Sequence, residues 1–336
     1  MTVYFDKENF ISYLKTVGDS SVGVDTLRMV KNHLEVHLNF SLSELDEDEG
    51  ILLGEFTSGV AKDFKLTHSN NNIVRPLKKD SFPQFNGIYL LNVQAEVQKI
   101  KDLCVVLIGY VNEEVYTLKK LLLKEDYVFH KERVIGGDIT PDDHLSIEDL
   151  PFRTLVIVDR YMFKGPEEGG NIGLFDFNID KILKNAFQGK RGPSKLIFIY
   201  QIRLNVAKTD SKYDAGPDFP KLIAKIKKAA HKYCPAPEIY LLGTPFGQID
   251  DEHDRFIITN YLRIKSGDSL IYFNSKDEIL SKSKTVDFYS LGSRDYRYTT
   301  KIIVEKLKII IDDTLKSYPQ YCKVPEGTER SNVIDF

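Results

Sequence analysis

Short apolar strands that alternate with an amphipathic helix place the tightest limit on how this chain can fold. Residues Thr154–Val158 form a continuous, mostly β-branched run that stops at Asp159, as a buried strand of an α/β sheet does. Lys195–Tyr200 and Glu238–Leu242 repeat the pattern, and KLIAKIKKAAHKY between them is an amphipathic helix. This order of strand, helix and strand predicts a crossover in a mixed or parallel sheet.

The chain is long enough for two domains, since it has 336 residues and one domain usually has about 100 to 200. The best boundary is Gly136–Leu150, which is rich in Gly, Pro and Asp. We therefore predict a mixed α+β domain over residues 1–150 and an α/β domain over 151–318. The second domain should hold a mixed sheet flanked by helices and end in a long helix at Tyr298–Tyr318, with 319–336 as a tail.

Within the first domain, helical spacing of apolar residues predicts helices at Lys7–Val17 and Thr26–Leu38. The acidic run Glu44–Glu49 is typical of a solvated loop. Further elements are predicted as two strands, Gly87–Val93 and Leu103–Tyr110, and a helix, Val115–Leu123.

Charge is divided unequally between the two parts. Residues 1–150 have 16 Lys and Arg against 25 Asp and Glu, a net charge of −9, whereas residues 151–336 have 30 against 24, a net charge of +6. A basic half predicts contact with a polyanion or with a partner, and residues 1–150 are a candidate surface for a protein partner. The lysines at 225, 227, 228 and 232 are either the solvated face of a helix or a phosphate-contact surface.

The compartment is predicted to be the cytoplasm. No apolar run approaches the roughly 20 residues that cross a bilayer, and the first ten residues are too polar for a signal peptide. The three cysteines, Cys104, Cys234 and Cys322, have no CxxC spacing, so we expect reduced thiols, no metal site and no cofactor.

The segment that carries chemistry is Asp251–Asn274. It predicts three short strands, Arg255–Ile258, Tyr261–Lys265 and Ser269–Phe273, joined by turns. Alternate residues of an extended segment share a face, so His253 and Arg255 should project together and could hold one anion.

The spacing in this segment resembles the motif of the phospholipase D superfamily. That motif is His-x-Lys, four residues, Asp, six residues and Gly-Ser; here it is His253-x-Arg255, four residues, Asn260, six residues and Gly267-Asp268. The triplet His-Asp-Arg is most similar to the phospholipase D-like domain of eukaryotic MIT-domain proteins, which is associated with lipid binding. The run LVIVDRYM is also similar to the opening strand of such domains.

The resemblance implies a metal-independent phosphodiesterase or nuclease. The basic half, the predicted cytoplasmic location and the lack of a membrane segment favour nucleic acid as its substrate, and a prokaryotic defence effector is one setting for such a protein. His253 would be the nucleophile, Arg255 the phosphate clamp and Asn260 the third catalytic position. Because the chain has one motif, a two-histidine site requires a homodimer. Further phosphate contacts are predicted at Gly267, Asp268, Ser269, Asp159 and Arg294.

Two alternatives remain open at this point. A noncatalytic module could use His253 and Arg255 to hold a phosphorylated headgroup or a protein partner, since three motif positions are changed. A purely structural interpretation makes His253 a strand-edge histidine and pairs Arg255 with Asp254, Glu252 or Asp250. Asp159 could equally be a structural carboxylate.

Overall fold

The structure of the chain is a computed structural model. The described residues are 1–17, 30–59, 64–69, 73, 77, 81–84, 86–92, 105–108, 129–137, 152–159, 162, 178–184, 195–202, 219–231, 236–245, 255–267, 270, 272–274, 276–280, 284–328 and 333–334. The chain divides into two compact units. The first unit comprises Met1–Phe129, Asp149–Pro151 and Ser290–Tyr298, and the second comprises His130–Glu148, Phe152–Tyr289 and Thr299–Phe336.

The first unit is built on a parallel sheet of five strands in the order β3-β2-β1-β4-β5. The strands are β1 (Thr2–Phe5), β2 (Glu35–Leu38), β3 (Leu66–His68), β4 (Ile88–Leu90) and β5 (Val106–Ile108). Its described helices include α1 (Lys7–Val17) and α2 (Glu47–Thr57). This parallel arrangement makes the first unit α/β, whereas we predicted mixed α+β.

Packing of aromatic rings against the sheet supports this unit. Tyr4 on β1 stacks on Tyr89 of β4 with ring centroids 4.7 Å apart, and Phe82 meets Tyr89 edge-on at the same distance. The Tyr89 hydroxyl donates to the Gln84 carbonyl oxygen at 2.6 Å and accepts from the Gln84 N–H at 3.0 Å. The buried hydroxyl is therefore satisfied by the backbone of the preceding loop.

Two predictions for the first unit are wrong in identifiable ways. Glu35–Leu38 is a strand and not the end of a helix; its burial alternates with a period of two, as expected for a strand. The acidic run is largely helical because Asp46 caps α2 and its N–H bonds back to Glu49, which forms a capping box. Acidic residues in a first turn also favour a helix by opposing the positive end of its dipole.

The remaining predictions for this unit have mixed outcomes. The helix at Lys7–Val17 is confirmed, and strands lie within Gly87–Val93 and Leu103–Tyr110. The predicted helix at Val115–Leu123 falls outside the described residues.

The second unit contains a mixed sheet of eight strands in the order β13-β9-β8-β7-β10-β11-β12-β6. The strands are β6 (His130–Val134), β7 (Thr154–Val158), β8 (Lys195–Ile202), β9 (Glu238–Pro245), β10 (Arg255–Ile258), β11 (Leu262–Ser266), β12 (Thr285–Ser290) and β13 (Cys322–Lys323). Strands β7, β8 and β9 are parallel, whereas β10 pairs antiparallel with β7. The predicted crossover architecture is confirmed, and β7 stops at the residue before Asp159.

Two of the helices were predicted: α3 (Phe219–Ala230) lies in the second unit, and α4 (Arg294–Ser317) begins four residues earlier than expected, with Arg294–Tyr298 in the first unit. A short helical segment at 178–184 was not predicted. Helix α3 buries Leu222, Ile226 and Ala230, which recur every four residues along one face. The predicted strand Ser269–Phe273 is not a strand in the described residues, where Phe273 makes only an isolated bridge to Ile279.

Both ends of the second domain differ from the prediction. Strand β6 pairs with β12, so residues 130–134 belong to the second sheet although we placed the boundary near residue 150. Residues 319–336 include more than a tail: β13 pairs with β9, and Val333 and Ile334 are buried in the core. Apolar contact with a distant strand stabilises this segment, and no local periodicity signals such contact.

Gly243 is required by a close approach between strands and the C-terminal segment. A Cβ atom there would lie 2.8 Å from the Tyr321 carbonyl oxygen, 2.9 Å from Ile202 Cγ2 and 3.0 Å from the Tyr200 hydroxyl oxygen. That hydroxyl donates to the same Tyr321 oxygen at 3.0 Å.

We expect Gly243→Ala to lower the free energy of unfolding by about 1–3 kcal/mol, because the methyl group overpacks this contact. Denaturant titration of the full chain measures the effect. Gly267→Ala is the matched control, since a Cβ atom at that position would meet no atom of a non-neighbouring residue within 4 Å. Equal stability of the two variants would contradict the close-packing explanation.

Acid should destabilise the first unit through two histidines. Burial lowers the pKa of His37, whose ring nitrogens each lie 2.8 Å from a hydroxyl oxygen, of Thr67 and of Ser69. Burial and the positive charge of Arg297 also lower the pKa of His33. The folded state therefore resists protonation more than the unfolded chain, whose histidines titrate near about 6.5.

The stabilising contribution of these histidines is present above that unfolded pKa and is lost as the pH falls through and below it. Unfolding titrations between pH 7 and pH 5 should show a falling free energy of unfolding, with a smaller fall in His37→Gln. The control is His231→Gln, at an exposed position after α3. A slope unchanged by His37→Gln would contradict this assignment.

Candidate functional site

The β10–β11 hairpin places parts of the predicted motif side by side. Arg255 pairs with Ser266 across this hairpin, so Arg255 and the exposed Gly267 lie at the same end. On its other side β10 pairs with β7, and Phe256 faces Val158. Arg255 therefore reaches the carboxyl end of β7, where Asp159 follows.

Asp159 and Arg255 form a buried ion pair at this end. Arg255 Nε lies 3.5 Å from Asp159 Oδ1, and the two side chains are 2% and 0% exposed. The other carboxylate oxygen, Oδ2, accepts the N–H of Leu270 at 2.6 Å. One carboxylate thus connects the end of β7, the start of β10 and the chain that follows Gly267.

Burial limits what this arginine can do in the described conformation. A buried guanidinium is stable only when a partner balances its charge, and Asp159 is such a partner. The phosphate clamp that we predicted at Arg255 stays a prediction; in the structure this side chain is 2% exposed and paired with Asp159. Its ion pair with Asp159 holds the β10–β11 hairpin against β7.

Asn260 lies at the opposite end of the same hairpin. Its Oδ1 accepts the N–H of Arg153 at 3.0 Å and of Thr154 at 3.4 Å, and the side chain is fully buried. Thr154 and Asp159 mark the two ends of β7, which are about 16 Å apart at 3.3 Å per residue. The structure therefore does not bring Asn260 to Arg255. The Asn260 amide oxygen instead accepts backbone N–H groups at the start of β7.

The other predicted site residues fall into two groups. His253, Asp268 and Ser269 lie outside the described residues, so their predicted roles stay predictions. Arg294 begins α4 and is assigned to the first unit, whereas Arg255 is assigned to the second. The Arg294 N–H donates to His33 Nδ1 at 3.4 Å.

Sequence reasoning missed a buried amide next to this region. Asn178 is 2% exposed; its Nδ2 donates to the Phe273 carbonyl oxygen at 2.8 Å. Its Oδ1 accepts the N–H groups of Tyr272 at 2.8 Å and Phe273 at 3.0 Å. Asn178 replaces strand pairing for this segment. It lies within the helical segment 178–184, and no sequence pattern that we used signals its role.

A second polar cluster lies at the carboxyl edge of the first sheet. Asp6 follows β1; its Oδ1 accepts from Asn39 Nδ2 at 3.1 Å, and its Oδ2 accepts the Asn92 N–H at 3.0 Å. Strands β2 and β4 flank β1, so one carboxylate ties together the ends of three strands. This edge contains the point where the strand order reverses, which is where open α/β sheets commonly bind ligands.

The basic face of α3 is partly exposed. Lys227, Lys228 and His231 line a shallow cavity of about 520 Å³ together with Ala224, Ala236 and Pro237. Lys227 and Lys228 lie in the last turn of α3, where positive charge also favours the helix dipole, and His231 follows the helix. Lys232 lies outside the described residues.

Neither a metal-ligand cluster nor a bilayer-spanning helix occurs in the described part of the chain. There, no group of three or more His, Cys, Asp or Glu side chains is placed to hold a metal ion. Among the described residues, no helix combines the length and the apolar character that crossing a bilayer requires.

The buried pair can be tested by removing one or both charges. We expect Arg255→Gln to lower the free energy of unfolding by about 3–5 kcal/mol, because it leaves Asp159 charged and buried without this partner. The double variant Asp159→Asn/Arg255→Gln should recover much of the loss, since an amide still accepts the Leu270 N–H. Chemical denaturation measures both variants and Asp159→Asn alone. A stability loss in the double variant equal to the sum of the two single losses would contradict coupling between the two side chains.

Comparison with known proteins does not identify a family. No family model matches the chain, and no curated protein shows a significant sequence match.

Proposed function

We propose that the second unit is a phospholipase D-like module that binds a phosphodiester, with nucleic acid as the ligand. One observation carries the proposal: the Arg255–Ser266 register joins two separated parts of the motif, Arg255 and Gly267, at the carboxyl end of a parallel strand. Carboxyl ends of strands are common ligand sites in α/β sheets.

The direction of the strands at this place also supports a site. Strand β7 runs parallel to β8 and antiparallel to β10, so the sheet changes its strand direction beside Asp159. The ion pair between Asp159 and Arg255 fixes this junction. In the proposal, Arg255 supports the floor of the site, while the exposed Gly267 turn and His253 form the part that meets the ligand.

Nucleic acid is favoured by charge. Residues 151–336 carry a net charge of +6, and phosphate backbones bind basic surfaces through counterion release. Cleavage would proceed in a homodimer: the His253 imidazole attacks phosphorus while His253 of the second copy donates a proton to the departing oxygen, and water that this second histidine then deprotonates hydrolyses the phosphohistidine. This step rests on the family resemblance.

Binding and cleavage can be separated with the full-length chain. Fluorescence anisotropy with labelled single-stranded DNA, double-stranded DNA and RNA measures binding, and gel analysis of the same probes measures cleavage. We expect the wild type to bind, with affinity falling as salt rises. His253→Ala should abolish cleavage, and His231→Ala should leave it unchanged because His231 lies after α3.

Absence of binding to all three nucleic acids would reject nucleic acid as the ligand. Cleavage that persists in His253→Ala would reject the proposed nucleophile. Binding without cleavage in the wild type would support a binding module and reject the enzymatic role.

The second candidate is a noncatalytic module for a phosphorylated headgroup. The burial of Arg255 and its ion pair with Asp159 favour this second candidate. A charge that is already paired within the fold suits a structural role better than contact with a phosphate that moves during a reaction. Vesicles of phosphatidylcholine with and without phosphatidic acid provide the test. Co-sedimentation with the phosphatidic acid vesicles alone, combined with no nucleic-acid binding, would favour this candidate over the first.

A further inference from the structure

The outward face of α4 has an apolar stripe that is unusual for a solvated helix. Tyr298, Ile302 and Ile309 are 66%, 43% and 64% exposed. With 3.6 residues per turn they fall within about 40° of one another around the helix axis. The opposite face is the buried one, formed by Thr300, Val304, Leu307, Ile311 and Thr314.

Charged residues lie along this stripe at positions on either side of its midpoint. Glu305 and Lys306 lie midway between Ile302 and Ile309, and both are exposed. Further out, exposed Asp295 precedes Tyr298, and exposed Asp313 and Lys316 follow Ile309. Acidic and basic positions are therefore distributed on both sides of the midpoint.

We infer that this face of α4 binds the same face of a second copy of the chain, with the two helices antiparallel. The twofold axis would pass between Glu305 and Lys306. Each residue then faces the residue that is equally far from this midpoint in the second copy. Ile302 faces Ile309, and Glu305 faces Lys306.

The outer positions obey the same rule. Asp295 faces Lys316, and the Tyr298 hydroxyl faces the Asp313 carboxylate. A parallel pairing would instead set Glu305 against Glu305 and Lys306 against Lys306, which places like charges together. Within one copy, Glu305 pairs with Lys308 and Lys316 with Asp312, and the partners across the twofold axis add to these pairs. Charge complementarity therefore favours the antiparallel arrangement, and a face that complements itself in this way suits a second copy of the chain.

This inference does not rest on the proposed function. It concerns a helix face outside the motif hairpin, and a chain that binds no phosphodiester would leave it intact. The contact is expected to be reversible, because three apolar side chains per copy cover a small area for a protein interface.

Sedimentation equilibrium of the full-length chain tests the inference. We expect a monomer–dimer equilibrium for the wild type and a monomer for Ile302→Asp/Ile309→Asp. The matched control is Ile51→Asp, which changes an apolar residue that is 56% exposed on α2 and should leave the dimer unchanged. Circular dichroism confirms that the variants remain folded.

A charge exchange tests the register. Glu305→Lys places two lysines opposite each other and should weaken the dimer by about tenfold or more. The double variant Glu305→Lys/Lys306→Glu restores opposite charges and should return the dissociation constant to within a few-fold of the wild type.

Cysteine cross-linking tests the direction, with the unmodified chain as background. Glu305→Cys lies beside the twofold axis and should form a disulfide-linked dimer under oxidation, whereas Lys316→Cys should not, because the two copies of residue 316 are about 30 Å apart in the antiparallel pair. A wild type that stays monomeric, a dimer that survives the double aspartate variant, an exchange that fails to restore it, or efficient linking through residue 316 would each overturn the inference.

Discussion

Burial of β7 on both faces and along both edges is the constraint on which the second unit depends. All five residues of Thr154–Val158 are buried, so their backbone groups must be paired by neighbouring strands. Strand β8 supplies one edge and β10 supplies the other. The polar ends of the strand are closed by side chains: Asn260 accepts backbone N–H groups where it begins, and Asp159 meets Arg255 where it ends.

This arrangement changes how the motif spacing is understood. The four residues between Arg255 and Asn260 carry the chain along one strand, so the two side chains reach opposite ends of β7. The six residues between Asn260 and Gly267 carry it back, which places Gly267 next to Arg255. The same spacing therefore builds a hairpin as well as a site. A buried ion pair costs desolvation, which close charge pairing and the Leu270 hydrogen bond offset.

In each unit an aspartate connects distant segments at the end of a strand, although the two sheets differ. The first unit has five parallel strands, and Asp6 connects the carboxyl ends of β1, β2 and β4. The second has a mixed sheet in which an ion pair fixes a hairpin. In both, one aspartate immediately after a strand binds segments that are distant in sequence. Asp6 accepts from Asn39 and Asn92, as Asp159 does from Leu270. A carboxylate suits this role because its two oxygens can accept from different segments.

The sequence by itself determined the elements whose pattern is local. Continuous apolar runs predicted β7, β8 and β9, helical spacing predicted α1 and α3, and the hairpin at Arg255–Ile258 followed from alternation and turns. Tertiary structure alone decided the parallel order of the first sheet, the pairing of β6 with β12, and the burial of Val333 and Ile334. Tertiary structure also decided that Arg255 pairs with Asp159, while Asn260 lies at the other end of β7. Strand order and burial depend on contacts between distant segments, and a pattern read along a single chain contains no measure of those contacts.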